Sequence, residues 1–340
     1  MNTKRLLIAL ALLLWSFPTL AVELHESKLG DSLIRIARPD NWTGDVLLLA
    51  HGYRPAEADM SAQFSLQGHF YKSMLERGWL IAATSYRRNG FILDDAVEDI
   101  ELLRQEIKRR YQNKGLTLVS GNSMGGGIVT LIAESGNDNY DGALALGAYL
   151  ARNPSAYQPK IPLLFVSNRS ELEGPTEYVA KSSKAPIVPA VWSIDRDGHV
   201  NIGHEEWLVA IDGLVQFIRT GEIERGKDNT IRSAVKSKAA FTADGALTRV
   251  TSVNASFGNL ETEFTSADLD AVDIKRGSSF WISFNENTFN VLYGTTYSDV
   301  PHGDWIAFIT AEGTLRIARN YDSAAKTLDC KVDDIIMITR

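Results

Sequence analysis

Residues 116–126, LTLVSGNSMGG, constrain this chain more than any other segment. An apolar, β-rich run stops at Gly121-Asn122-Ser123-Met124-Gly125, and an apolar, helix-like segment follows at once over 128–133. Strand, sharp turn and helix in that order are the setting of a G-x-S-x-G serine nucleophile. Glycines flank the serine because the turn is too tight for side chains there, and the tight turn leaves the serine Oγ standing free above the sheet. The new helix aims its free N–H groups and positive dipole end at the same spot. The pentapeptide alone is common. Its context makes Ser123 the expected nucleophile, against the bland alternative of a Gly-rich structural turn.

At 340 residues the chain is longer than one small domain needs, and two are expected. A net charge of −7 offers no basic surface to nucleic acid or an anionic membrane, so neither is expected as a partner. Cys330 is the single cysteine. That excludes an intramolecular disulfide framework and a zinc–thiolate site built from one chain, and leaves Cys330 as a small core residue near a late strand. No metal and no cofactor are expected. Residues 121–127 are glycine-rich but carry the serine of the turn where a phosphate-binding loop has a lysine.

Residues 1–21 read as a secretory signal peptide. Lys4 and Arg5 give a basic start, 6–14 is apolar, and Thr19-Leu20-Ala21 is a small-x-small cleavage site. The apolar run is short of the ~20 residues that a spanning helix needs. Cleavage after Ala21 is therefore expected over an uncleaved anchor, giving a periplasmic or secreted protein with no stable membrane anchor.

From 23 to about 220, strand and helix patterns alternate. Residues 32–37 alternate like an antiparallel edge strand, while 46–50 and 80–84 are wholly apolar, as in strands buried on both faces. Leu66, Phe70 and Met74 stand four apart before a stop at Gly78. Over 94–111, Ile100, Leu103, Ile107 and Tyr111 share one helix face, with Asp94 and Asp95 at its start and Lys108, Arg109 and Arg110 at its end, matching the macrodipole. Strands at 143–146, 161–166 and 188–194 follow, then a last helix over 205–219 closed by Gly221. The alternation predicts an α/β fold with a doubly wound parallel sheet. The short gap between the strands at 143 and 161 leaves no room for a large lid, so the site is expected to be open. The polar stretch 221–240 reads as a linker. From 241 onward, short strands separated by Gly-containing turns predict a smaller all-β barrel or sandwich over 241–340.

A nucleophilic serine needs a base beyond the last sheet strand, with an acid between them in chain order. Of six histidines, His25, His51, His69 and His302 lie in the wrong places, which leaves His199 and His204. His199, in Asp197-Gly198-His199 directly after a strand, can swing back over Ser123; His204 stands at a helix start. The acid should end the strand at 161–166. Glu171 is the first candidate and Glu173 the reserve, with a merely solvated acidic loop as the alternative. In His51-Gly52-Tyr53, the Tyr53 N–H is expected to join the Met124 N–H as an oxyanion hole, with His51 packing the loop. Tyr86-Arg87-Arg88-Asn89-Gly90 either lines the substrate pocket or is a plain basic turn.

Taken in order, Gly121 to Gly125, His51-Gly52 and Asp197-Gly198-His199 resemble the α/β-hydrolase superfamily over about 23–220. The resemblance implies an α/β-hydrolase domain at 22–220. It implies serine-hydrolase chemistry through an acyl-enzyme on Ser123; with the signal pattern of residues 1–21 this reads as an exported enzyme, and with nothing to suggest a propeller or a peptide-filtering lid, an esterase acting on a small-molecule ester is expected before a peptidase. The chain departs from the commoner pattern in using Glu where relatives have Asp.

The second domain resembles something different. Phe257-Gly258-Asn259-Leu260-Glu261-Thr262, Thr296-Tyr297-Ser298-Asp299-Val300 and the run from Gly313 to Asn320 look like the C-terminal β-barrel of S-adenosylmethionine hydroxide adenosyltransferases. That resemblance implies that Asn259 hydrogen-bonds adenine, that Tyr293 stacks on it and that the strand at 316–318 offers backbone contacts. It also implies a site shared with a second copy, hence a homo-oligomer through the barrel. The family's catalytic N-terminal domain is absent here. Ala311-Glu312 stands where relatives often carry a serine before the turn at Gly313, which undermines binding of a methionine carboxylate. Two roles stay open: a barrel that binds an adenosyl or other nucleoside-like ligand without catalysis, or a barrel kept for packing and assembly.

Overall fold

A computed structural model of the chain describes residues 20–135, 139–151, 155–254 and 257–340. The expected signal peptide lies, up to residue 19, outside the described residues. The first sheet has eight strands: β1 (Val22–Leu29), β2 (Ser32–Pro39), β3 (Val46–Ala50), β4 (Leu80–Thr84), β5 (Thr117–Asn122), β6 (Gly142–Leu146), β7 (Leu163–Asn168) and β8 (Ala190–Ile194). Their spatial order is β1-β2-β4-β3-β5-β6-β7-β8, with β3 to β8 parallel and β1 and β2 antiparallel to their neighbours. This is the doubly wound α/β sheet that the alternating pattern predicts, in the α/β-hydrolase order that the resemblance implies.

Helices α1 (His69–Glu76) and α5 (His204–Thr220) cover one face of the sheet. Helices α2 (Leu93–Tyr111), α3 (Met124–Ser135) and α4 (Glu173–Lys181) lie on the other. β3 shows why its sequence is continuously apolar. Val46 and Leu48 pack with Ile100, Leu103 and Val129, whereas Leu47 packs with Phe70 and Leu214 on the opposite face. Each such fully buried Leu or Val contributes about 1.5–3 kcal/mol of transfer free energy. The expected edge at 32–37 is corrected: β2 lies one strand in, because β1 pairs with it along its whole length. β1 is polar and mostly half-exposed, so it carries little apolar signal.

The second domain closes on itself. β9 (Ala240–Phe241) is appended to β10 (Ala246–Val253). With β10, the strands β11 (Leu260–Thr265), β12 (Ser279–Phe284), β13 (Asn287–Tyr293), β14 (Trp305–Ile309), β15 (Thr314–Arg319) and β16 (Ile335–Thr339) form a ring in the order β11-β15-β14-β13-β12-β16-β10, sealed by a β10–β11 pairing. Closure removes the exposed strand edges that invite aggregation. Phe264, Phe280 and Ile317 fill the interior. Cys330 is buried there too, and burial pushes its thiol up to about 11.

Residues 221–240 are not a free tether. Asp228 pairs with Ser193 of β8 like an added parallel strand residue, with N–H···O bonds of 2.9 Å from Ser193 to Lys227 and from Asn229 to Ser193. The buried Glu206 carboxylate accepts the Ile231 N–H at 2.8 Å and an Arg196 guanidinium N–H at 2.9 Å. Polar composition hides this docking, since backbone pairing and a buried carboxylate need no apolar residue. Among the described residues, no helix is long and apolar enough to cross a membrane.

Candidate active site

β5 lies mid-sheet between β3 and β6 and delivers Ser123 at a left-handed φ of 56°. A non-glycine residue held there is strained, as a nucleophile turn requires. The strained residue is pinned on both sides: its N–H donates to the Leu146 carbonyl at 3.0 Å, and its carbonyl accepts the Tyr149 N–H at 2.9 Å. The flanking glycines are obligatory. A Cβ on Gly121 would lie 2.3 Å from the Gly125 carbonyl oxygen, and one on Gly125 would lie 2.1 Å from that of Ala50.

Ser123, His199 and Glu171 come together. The Ser123 Oγ–H donates to His199 Nε2 at 2.8 Å. His199 Nδ1–H donates to Glu171 Oε1 in a short hydrogen bond, and Glu171 Oε2 accepts the Val200 N–H at 3.1 Å. A carboxylate on Nδ1 leaves Nε2 with its lone pair free for a proton. Val200 adopts a φ of 51°, unusual for a β-branched residue, as the loop hooks His199 back over the sheet. Glu171 ends the short turn Arg169–Glu171 after β7, whereas Glu173 opens α4. His204 opens α5; its Nδ1 lies 3.5 Å from Glu312, and its ring stacks 6.1 Å from that of His69.

Two asparagines that no sequence motif marks fix these loops. The Asn201 N–H donates to Asn168 Oδ1 at 2.8 Å, and Asn168 Nδ2 donates back to the Asn201 carbonyl at 2.9 Å. This buried pair locks the acid loop to the base loop. Asn201 Nδ2 then donates to the Ile309 carbonyl of the barrel at 3.1 Å, and the His204 N–H donates to Glu312 Oε1 at 2.9 Å. The available signal was a run of polar residues, Ser167-Asn168, completing an otherwise apolar strand.

The Tyr53 loop abuts the nucleophile: a Cβ on Gly52 would lie 3.3 Å from Ser123 Cβ. Met124 is the first residue of α3, where an N–H has no intrahelical acceptor. The His51 ring stacks on Tyr86 at 4.0 Å and faces the carbonyls of Gly52 and Ser85. Burial, reinforced by the Arg54 charge, pulls its imidazole down to about 4, so His51 is neutral at pH 7 and packs the loop. Tyr86 is fully buried and its hydroxyl donates to the His51 carbonyl at 3.1 Å. Within 86–90, the guanidinium groups of Arg87 and Arg88 are engaged by Asp99, Glu98 and Asp95 of α2.

In the barrel, Asn259 and Tyr293 are only 4% and 5% exposed. Asn259 Nδ2 donates to the Tyr297 hydroxyl at 2.9 Å, and Arg276 lies 5.9 Å from the Tyr293 ring centre. Within one copy of the chain, neither offers a face to a nucleoside. In the strand at 316–318, Arg316 and Ile317 pair with both β11 and β14, whereas Ala318 pairs with β14. Two surface clefts of 260 and 200 Å³ lie elsewhere, lined by neither Ser123, Glu171 nor His199. Among the described residues, no group of three or more His, Cys, Asp or Glu is placed to hold a metal ion.

Residues 249–337 match the SAM hydroxide adenosyltransferase C-terminal domain. No curated protein matches the chain. Among solved structures, an uncharacterized conserved protein from Thermotoga maritima is 21% identical, covering 37% of this chain and 49% of that one, with a TM-score of 0.29. The chain thus spans about half the length of that protein. A Pyrococcus furiosus esterase is 16% identical over 58% of this chain and 92% of that one, TM-score 0.45. An Anabaena variabilis dienelactone hydrolase is 15% identical over 59% and 98%, TM-score 0.46. The barrel that resembles the adenosyltransferase domain therefore sits hydrogen-bonded to the loop that carries His199, through Ile309 and Glu312.

Proposed function

We propose that this chain is an exported serine hydrolase that cleaves a small carboxylic ester through an acyl-enzyme on Ser123. The observation that carries the reading is the continuous relay from Ser123 Oγ to His199 Nε2, and from Nδ1 to Glu171. In the first half-reaction, Oγ attacks the ester carbonyl while Nε2 takes its proton, and Glu171 stabilises the imidazolium. The charge on the carbonyl oxygen is met by the N–H groups of Met124 and Tyr53; losing one such donor typically costs ~10²–10³ in rate. The Nε2 proton then passes to the departing alkoxide, which leaves as the alcohol. In the second half-reaction a water molecule gives a proton to Nε2 and attacks the acyl carbon; the C–Oγ bond then breaks as Nε2 hands that proton to Ser123 Oγ, which releases the acid and restores the serine. An ester is the proposed bond because an alkoxide leaves more readily than an amine. The burial of Asn259 and Tyr293 favours this reading over a nucleoside-binding protein. Export rests on the basic–apolar–small pattern of residues 1–21.

The test is labelling with a fluorophosphonate, followed by peptide mapping. A single adduct on Ser123, absent from His199→Ala, is expected. No adduct on the folded protein would sink the reading.

A further inference from the structure

We propose that the barrel supplies part of the substrate cleft: Tyr321 and His302, together with Tyr53, form an aromatic subsite for an aryl group of the ester. The proposal rests on the Ser123 hydrolase reading. A line of contacts leads to it from the nucleophile. Gly52 packs against Ser123, and the next residue, Tyr53, meets Tyr321 of the barrel edge to face, with ring centres 6.1 Å apart at 76°. His302 stacks parallel on Tyr321 at 5.3 Å and 8°. Three rings from two domains thus make one surface, whose first ring belongs to the residue that follows the serine's neighbour Gly52. A second ring pair is tied to the serine through the backbone, for the Tyr149 N–H donates to the Ser123 carbonyl and its ring meets Phe91 at 5.7 Å.

Two further observations point to a ligand of this kind. Tyr321 is 60% exposed and Tyr53 37%, so the rings are not spent on a core. Clustered exposed aromatic surface marks a binding site, and edge-to-face and offset-stacked geometries are those an added ring would extend. The platform is also held in place. Tyr321 sits in a turn at φ 58° directly after Asn320, whose Nδ2 donates to the Val300 carbonyl at 2.8 Å and whose N–H donates to that of Asp304 at 3.0 Å. The barrel is set against the catalytic loops by the Asn201–Ile309 and His204–Glu312 bonds. His302 covers one face of Tyr321 and Tyr53 meets the ring edge to face, so a planar group would pack on the part of this 60%-exposed ring that the two leave open. The subsite gives the barrel a part in this chain's own chemistry that does not call on its buried Asn259 and Tyr293.

The experiment compares kcat/KM of the full-length protein for two pairs of esters: 2-naphthyl against ethyl acetate, and ethyl 2-naphthoate against ethyl acetate. For Tyr321→Ala, the aryl-to-alkyl ratio of at least one pair should fall about tenfold or more relative to wild type, mainly through KM. Tyr321→Phe should hold the ratio within about twofold, since the ring is kept. Fluorophosphonate labelling of wild type runs in parallel. If Ser123 labels but both ratios in Tyr321→Ala stay within about twofold of wild type, the subsite is wrong and the hydrolase reading stands. A wild-type protein that does not label overturns both.

Discussion

The side chain of Asn201 donates from Nδ2 to the Ile309 carbonyl at 3.1 Å, while its backbone N–H is held by Asn168 Oδ1 at 2.8 Å. Asn201 therefore joins three parts: the loop that ends in Glu171, the loop that carries His199, and the barrel. Because it is 8% exposed, water cannot readily replace lost partners.

Asn201→Ala should lower stability by about 1–3 kcal/mol, the cost of leaving a buried carbonyl unpaired, and reduce kcat more than it raises KM. Asn201→Asp should cost more, since a carboxylate would face the carbonyls of Ile309 and Asp197. Urea unfolding and steady-state kinetics on both variants check this. An Asp variant as stable as wild type would count against the geometry.

Glu171→Gln should reduce kcat by about 10²–10⁴, because an amide cannot fix the Nδ1–H tautomer in the same way or stabilise an imidazolium. Glu173→Gln should leave kcat within a few-fold, as Glu173 opens α4 and belongs to no part of the relay. Ester kinetics of the two variants at matched folded concentration decide it, and the opposite order would move the acid to Glu173.

His51 makes stability depend on pH. Its imidazole titrates near 6.5 in the unfolded chain and at about 4 when folded. Between those values only the unfolded state takes the proton, so stability is full above 6.5 and is lost as pH falls toward 4. The whole span is worth about 3 kcal/mol. Urea unfolding at pH 7 and pH 4.5 should therefore show a smaller stability loss for His51→Gln than for wild type. Equal losses in the two proteins would remove His51 from the account.

Much of the site was legible because its chemistry is local. Ser123 announces itself through Gly121 and Gly125, where an added Cβ would lie 2.3 and 2.1 Å from neighbouring carbonyl oxygens. His199 and Glu171 were found by chain order, since each follows the C-terminal end of a parallel strand. Asn168 and Asn201 were not legible, for their work is one hydrogen-bonded pairing across 33 residues. The docking of 221–240 along β8 was hidden for a related reason: a ladder of N–H···O bonds leaves no apolar period. Most instructive is Ala311-Glu312. It stands out as a departure from the barrel family's pattern, and it proves to be the contact with α5, where Glu312 caps the helix start at His204. Only packing the two domains together shows that.

The most direct measurement is kcat/KM for an activated aryl ester in wild type and Ser123→Ala, with melting curves to show that both are folded. Ser123 is half-buried and the substitution removes a single hydroxyl, so the variant should melt within a few degrees of wild type. Its activity should fall at least about 10³-fold. A folded Ser123→Ala protein that retains activity within a few-fold of wild type contradicts the account.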